Sequence, residues 1–391
     1  MSAVRKVLVQ GGGIGGLTLA TALARRGIEV DVAEATGPGS VLGVGLNQPN
    51  NALAALEEIG VREACLEVGF PFETLTIWNT PGLEVAAVPP PEGRYGKPSN
   101  NAISRPLYSG ILRTAAEKAG ANIITGVTVR EMAEHSTGID VELATWTGKH
   151  GAALRRKGAP SSRYDLVVGF DGVRSRIRAH LFADTYTPTF TGFANWRVKM
   201  PRPADLNQIR FVMDKDVKAV LTPISADEMY IALVTPEPGN PRHHPADFLR
   251  LVHERMRGFS GPLGALRDSI TGAHEINYTP LEHVTVREPW YRGRVAIAGD
   301  AAHTSPPHLA QGAAMAVEDA VTLATALAEH SALPVALDAW YARRRDRALF
   351  VADMSLALLK QEMRADMTPD EQEMVKLGIP GAQARLAQEA Y

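Results

Sequence analysis

Val4-Arg5-Lys6-Val7-Leu8-Val9-Gln10-Gly11-Gly12-Gly13-Ile14-Gly15-Gly16, with an acid further on at Glu34, is the stretch that decides the fold. Lys6-Val7-Leu8-Val9 is a short β-branched run stopped by glycines, the pattern of a fully buried strand. From Ile14 to Arg26 the apolar residues Leu17, Ala20, Leu23 and Ala24 recur at helical spacing, and Gly27 supplies the stop. Ile28 to Ala33 reads as a second strand closed by Glu34 and Ala35. The glycines at 11, 13 and 16 fit G-x-G-x-x-G. Gly11 permits the tight turn, Gly13 lets the backbone approach a pyrophosphate, and Gly16 lets helix and strand pack closely. The helix opening at Ile14 and Gly15 points unpaired N–H groups at an anion. Glu34 lies 34 − 11 = 23 residues past the first glycine, where a carboxylate accepts hydrogen bonds from ribose hydroxyls. The unit from Val4 to Glu34 is therefore read as a dinucleotide site. An acid rather than an arginine at 34 argues against a resident 2′-phosphate.

Outward from this unit the chain has 391 residues, too many for one small core and suited to two lobes with a helical tail. Its 41 basic and 43 acidic residues leave a formal charge of -2, so no nucleic-acid or polyanion partner is implied. The single cysteine, Cys65, rules out an internal disulfide, and Ala64-Cys65-Leu66 reads as the inside of a helix. No apolar run approaches the ~18 residues of a membrane span, and the first strand begins too early for a signal peptide. The expectation is a soluble, cytoplasmic protein with no membrane partner.

Further along, Asn50 to Ile59 and Arg105 to Ala119 carry helical patterns. Thr80 to Ser99, rich in proline and glycine, reads as a long irregular excursion. Thr147 to Ser162 reads as a solvated hairpin end. Asp165 to Phe170 and Arg294 to Ala298 repeat the buried-strand pattern. Thr187 to Pro236 alternates polar and apolar residues as an antiparallel sheet does. Asp247 to Arg257 and the Ala-rich run Gly312 to Glu329 are helices. The charged tail from Pro334 is helical too, with a capping box at Thr368-Pro369-Asp370-Glu371. His243 and His244 sit in a proline-rich loop, and with His253 they lack the spacing of a metal site, so the pair reads as a solvated turn.

Two more acids lie in glycine turns at strand ends, where open α/β sheets bind ligands. One is Asp171-Gly172-Val173-Arg174-Ser175-Arg176-Ile177-Arg178, the other Gly299-Asp300-Ala301-Ala302-His303. With the first glycine turn, and with Ser104-Arg105-Pro106-Leu107 opening a helix, the set resembles the single-component FAD-dependent aromatic hydroxylases, the para-hydroxybenzoate hydroxylase family. The stretch from Gly299 to Ala320 is most similar to the branch that holds salicylate hydroxylase, 6-hydroxynicotinate 3-monooxygenase and the flavin-dependent urate hydroxylases. Pro307-His308 and Ala310-Gln311-Gly312-Ala313 lean toward the hydroxypyridine-type members.

The resemblance implies an α/β fold: a Rossmann-like FAD-binding lobe of the GR2 type, an inserted antiparallel-sheet substrate lobe and a C-terminal helical tail. The corresponding boundaries are 1–75, 100–185 and 280–335 for the first, 76–99 and 186–279 for the second, and 336–391 for the third. It implies bound FAD, visiting NADH or NADPH, O2 and a small aromatic substrate hydroxylated through a flavin C4a-hydroperoxide, in a monomer or homodimer. Arg105 is placed on the pyrophosphate, Asp300 on the ribityl chain, and Asp171 and Gly172 on the nucleotide side. Arg178 is placed as the anchor of its own segment, and His303 as support for the Asp300 turn. Pro306 to Ala314 is placed along the flavin edge. There the start of the Gly312 helix, with small Ala313 and Ala314, would stabilise the anionic reduced ring. Gly45 and Asn47, in Gly43-Val44-Gly45-Leu46-Asn47, fall near the flavin too. Some pyridine-hydroxylating relatives carry histidine at the latter position.

His308, beside Pro307, is the leading candidate for binding or deprotonating substrate. Tyr230, Asn195, Trp196 and Arg197 are candidates on the pocket sheet, half of which faces away. Other flavoenzymes on the same scaffold stay open. Gly192-Phe193-Ala194-Asn195-Trp196-Arg197 lacks the Trp-x-Trp-x-Ile-Pro signature of flavin halogenases, but a reductase with a greasy tunnel leaves no sequence mark. A non-enzymatic FAD-binding or redox-sensing protein is the third reading.

Overall fold

The βαβ unit forms where its pattern places it: strand Lys6–Gln10, helix Ile14–Ala24 and strand Glu29–Glu34. The structure, a computed structural model, describes residues 2–37, 43–91, 93–148, 153–155, 162–215, 217–272 and 274–391. Around that unit grows a six-stranded sheet in the order Tyr291–Arg292, Val295–Ile297, Leu166–Gly169, Lys6–Gln10, Glu29–Glu34, Asn122–Thr125. All neighbours run parallel except the edge pair at Tyr291–Arg292. Its strands are β-branched and carry few polar residues because helices cover them. Leu17, Leu19 and Leu23 of the first helix are fully buried, each worth roughly 2 kcal/mol of hydrophobic burial.

A second sheet of seven strands follows the order Ile276–Thr285, Thr189–Pro201, Glu228–Pro236, Val217–Pro223, Ile209–Asp214, Leu75–Trp78, Glu84–Val88. It is antiparallel except where Ile209–Asp214 meets Leu75–Trp78. One face packs on helices Phe248–Arg255 and Gly261–Ser269 through a core of Val198, Leu233, Val252 and Leu263. The other face turns toward the first sheet. Between them Val44, Phe72, Ala102, Ile224 and Tyr230 form a smaller apolar seam.

The expected irregular excursion at Thr80 to Ser99 is corrected in part. Leu75–Trp78 and Glu84–Val88 form a hairpin on the edge of the second sheet, turning at Pro81-Gly82, with Gly82 at φ +94°. Proline and glycine density there marks the turn rather than an absence of strands. Of the supposed hairpin end at Thr147 to Ser162, residues 149–152 and 156–161 lie outside the described ones, and Ala153–Arg155 pairs with Gly138–Trp146.

The tail is helical, as its pattern suggests, and the capping box at Thr368 and Glu371 forms. Its charge, however, is partly interior. Helix Leu333–Glu362 packs against helix Gly312–Glu329, and Arg344 and Arg347 meet Glu318 and Asp319 with all four buried. Arg344 Nη1 lies 2.6 Å from Glu318 Oε2, and its Nε donates to Asp319 Oδ1 at 2.8 Å. Arg347 Nε donates to Glu318 Oε2 at 2.9 Å. The far end of this helix reaches the second sheet, where Leu359 packs on Val234 and Leu281. No helix among the described residues is long and apolar enough to cross a membrane.

Candidate active site

The glycine turn divides its labour by space. A Cβ on Gly16 would stand 1.9 Å from Gly11 O, and one on Gly11 (φ +107°) would stand 2.3 Å from Phe170 O. A Cβ on Gly13 meets nothing within 4 Å. Two glycines are thus needed by the chain itself, and the third opens onto vacant space at the helix start. Glu34 accepts from Gly12 N at 2.6 Å and from Thr36 N at 2.8 Å, so it braces the turn as well as ending the strand beside Ala35.

From Gly13 a cavity of about 430 Å³ runs between the two sheets. Gly13, Ile14, Gly15, Gly45, Asn47, Arg105, Gly172, Asp300, Pro307, His308, Gly312 and Ala313 line it from the first lobe. Asn195, Arg197, Tyr230 and Lys218 line it from the second sheet, with Ile209, Phe211, Val220 and Val234 as an apolar wall. Gly11, Gly16, Gly299 and Ala314 are buried behind this surface. Ala310, at φ +54°, is a non-glycine residue in the left-handed region, between the Pro307–Leu309 turn and the Gly312–Glu329 helix. Such strain is typical of loops shaped for a ligand.

Two acids, a histidine and an arginine (Asp171, Asp300, His303 and Arg178) stand in the two later motifs. His303 and Gly299 N both meet Asp319 Oδ2, at 2.7 and 3.0 Å, which ties the Asp300 turn to the helix behind it. Arg178 spends its guanidinium on the carbonyls of Tyr186, Ala301 and Val173. Asp171, expected beside the nucleotide, turns its carboxylate onto Ser175 and the N–H groups of Arg176 and Ile177, capping helix Arg176–Phe182. Gly172, not the Asp171 carboxylate, lines the cavity.

On strand Thr189–Pro201 the alternation separates the candidates. Asn195 and Arg197 face the cavity, while Trp196 faces the opposite core and donates to Thr235 and Glu237. Trp196 is therefore withdrawn as a pocket residue. The solvated-turn reading of His243 is corrected by the same core. His243 lies 3.1 Å from buried Glu237 and packs on Trp196 and Tyr278, because Glu237 also holds Arg255 and needs its remaining lone pairs filled.

The electrostatics are set by burial. It pushes the Tyr230 phenol up, against the pull of Arg197, and pushes Arg197 down. His308 falls to about 4 through burial and the charge of Lys218, partly offset by Glu362. At neutral pH the pocket thus holds a neutral imidazole and a neutral phenol. Lys218 and Glu362 escaped the sequence reading. An isolated lysine inside Val217-Lys218-Ala219-Val220-Leu221 was a usable signal, whereas nothing local marks Glu362.

A match to the family described as FAD binding domain spans residues 5–355. The chain belongs to the FAD-dependent monooxygenases of the aromatic-hydroxylase family. It is 31% identical to a putative FAD-dependent monooxygenase, YetM, of Bacillus subtilis, across 94% of this chain and 96% of that protein. It is 28% identical to 6-hydroxynicotinate 3-monooxygenase of Bordetella bronchiseptica, across 84% and 85%. Its fold matches Klebsiella pneumoniae HpxO solved with FAD and uric acid at a TM-score of 0.82 and 23% identity, covering 98% and 97%.

The cofactor of this family, FAD, fits what the cavity offers. Vacant space stands over Gly13 and Gly312, where an added Cβ meets nothing within 4 Å. The buried Oδ1 atoms of Asn47 and Asn195 have no hydrogen-bond partner among the described residues. Open backbone at a helix start, the Arg105 side chain on the wall and unpaired amide oxygens are groups that an FAD can use.

Proposed function

We propose that the protein uses NADH or NADPH and O2 to hydroxylate a small aromatic or N-heteroaromatic ring that already bears a hydroxyl, of the salicylate or hydroxypyridine kind. The observation that carries this reading is a single cavity lined both by the start of the Gly312 helix and by Asn195, Tyr230 and His308. The likeness to a 6-hydroxynicotinate 3-monooxygenase supports the hydroxypyridine side. Bound FAD would supply hydride acceptance and oxygen activation.

The remaining work falls to the chain. Gly11 to Glu34 would hold the adenosine end and Arg105 the pyrophosphate, with Asp300 toward the ribityl chain and Gly45 and Asn47 beside the ring. The N–H groups opening the Gly312–Glu329 helix would offer positive potential to the negative charge of a reduced flavin, and Ala313 is small enough to permit approach. His308, neutral at working pH, takes the proton of the ring hydroxyl and makes the ring carbon electron-rich. Tyr230, held protonated by burial, donates to the ring substituent. Pro307 fixes the loop that carries His308, and the wall of Ile209, Phe211 and Val220 keeps water out.

The test is NAD(P)H and O2 consumption by the purified yellow protein against a panel of phenols and hydroxypyridines. One compound should raise both rates sharply and appear with one added oxygen. If FAD is bound and reducible but no ring compound raises oxygen uptake, the hydroxylase reading gives way to another flavoenzyme on this scaffold, such as a urate-type hydroxylase, halogenase or reductase.

A further inference from the structure

Three ionisable side chains from three distant parts of the chain meet at the cavity wall behind Pro307. His308 comes from the proline loop, Lys218 from strand Val217–Pro223, and Glu362 is the last residue of helix Leu333–Glu362. Lys218 Nζ donates to Glu362 Oε2 at 2.6 Å, and His308 Nε2 lies 3.2 Å from the same oxygen. The side chains of His308 and Lys218 are 0% and 7% exposed. Both line the cavity, while Glu362 stands behind them. Both ring nitrogens of His308 are buried with no hydrogen-bond partner among the described residues, so the 3.2 Å approach of Nε2 to Glu362 is a charge contact rather than a hydrogen bond. An ion pair kept for stability alone has no use for a third group sharing its carboxylate, nor for an orphaned nitrogen at a cavity.

Building on the hydroxylase reading of this cavity, we infer that Lys218 and Glu362 are positioning residues that set the basicity of His308 in opposite directions. The end of helix Leu333–Glu362 thereby decides how readily the pocket takes a proton from a ring hydroxyl. The family match ends at residue 355, so Glu362 lies beyond the part of the chain it describes.

The charge balance follows from the geometry. Burial alone would push Glu362 up, but its contact with His308 and the Lys218 charge bring it down to about 2, so it is ionised throughout the working range. Burial pushes Lys218 down and Glu362 opposes that. The resting set is therefore a neutral imidazole, a carboxylate and an ammonium. When the ring O–H proton passes to a His308 nitrogen, the ring oxygen keeps the electron pair. The new imidazolium lies beside Glu362, and the new oxyanion shares the cavity with Lys218. Each charge created finds a counter-charge already in place.

Other charged groups nearby are engaged elsewhere or lie across the pocket. Lys360 on the same helix is paired with Glu371 at 2.5 Å, and Arg385 of helix Gly378–Gln388 with Glu389 at 2.9 Å. His283 is depressed by burial and by Lys360. Arg197 and neutral Tyr230 line the same cavity from strands Thr189–Pro201 and Glu228–Pro236.

The experiment uses FAD-loaded protein carrying 13C-labelled histidine, with the His308 signal assigned by its loss in His308→Asn. Lys218→Met should raise the His308 titration midpoint by roughly one pH unit or more, because Glu362 then faces it unopposed. Adding Glu362→Gln to that variant should cancel the rise, and Lys218→Arg should leave the wild-type midpoint nearly unchanged. Lys218→Gln replaces the methionine variant if that one does not hold FAD. With a turned-over ring compound, the acid limb of the pH profile should move up in Lys218→Met and return in the double variant. An unmoved midpoint in folded Lys218→Met, or an equal rise in the double variant, overturns the inference. The midpoint needs no substrate: if it moves while no ring compound is oxidised, only the hydroxylase reading has failed.

Discussion

The two ends of the cavity are built by different means. The glycine turn is written in backbone: Gly11 and Gly16 are demanded by the main-chain carbonyls of Phe170 and Gly11, and Gly13 leaves open space at the helix start. The end at Pro307 is written in side chains that come from Asn195, Lys218, Tyr230, His308 and, behind them, Glu362. A phosphate cradle needs only N–H groups and room, which a short local segment supplies. Under the proposed function the pocket has to orient a ring, exclude water and move a proton, which takes several chemistries at once, and only tertiary folding brings those together.

That contrast can be broken or sharpened by substitution. The largest effect is expected at the ion cluster that fastens the tail to helix Gly312–Glu329, beside the Pro307 end of the cavity. Arg344→Met would leave Glu318 to Arg347 alone and Asp319 without any arginine, costing about 3–5 kcal/mol. A thermal melt that falls by only a degree or two would show that the tail is not fastened there. Next comes pH. The folded value of His308, about 4, lies below the 6.5 of an exposed imidazole, so between them the unfolded chain binds the proton more readily. Its contribution is fully present above about 6.5 and is lost as pH falls toward 4, by about 3 kcal/mol at most. The drop in melting temperature between about pH 7 and about pH 4.5 should therefore be smaller in His308→Asn than in wild type; equal drops would place the acid sensitivity elsewhere.

At the backbone-written end, Gly16→Ala must push a methyl into Gly11 O, costing about 1–3 kcal/mol and most of the bound FAD. Full flavin absorbance per protein in that variant would contradict the steric account. The smallest effect is expected at Gly312, where a side chain has room. Gly312→Asp should keep FAD but slow flavin reduction by NAD(P)H about tenfold, since a carboxylate would cancel roughly 1 kcal/mol of helix-start potential. Unchanged stopped-flow reduction would mean that Gly312 does not face the ring.

What could be read from sequence follows the same division. The βαβ unit, helix Arg105–Ala119 and helix Gly312–Glu329 were legible because period and punctuation are local. Alternation along residues 195–197 announced a sheet but could not say which face met the cavity, so Trp196 was grouped with its neighbours until the strand was placed. His243 looked solvated because its partner Glu237 becomes buried only when helix Phe248–Arg255 packs on the sheet. Glu362 was illegible for the same reason in extreme form: it acts at a distance of 144 residues from Lys218.

Helix Leu333–Glu362 also imposes an order of events on the making of the protein. While the ribosome has yet to deliver Arg344 and Arg347, the emerging chain carries Glu318 and Asp319 without the arginines that receive them, in a helix whose inner face must otherwise be dry. The nucleotide cradle is translated first and the last wall of the pocket among the last. Flavin capture should therefore be a late event, weakened in chains stopped before Arg344.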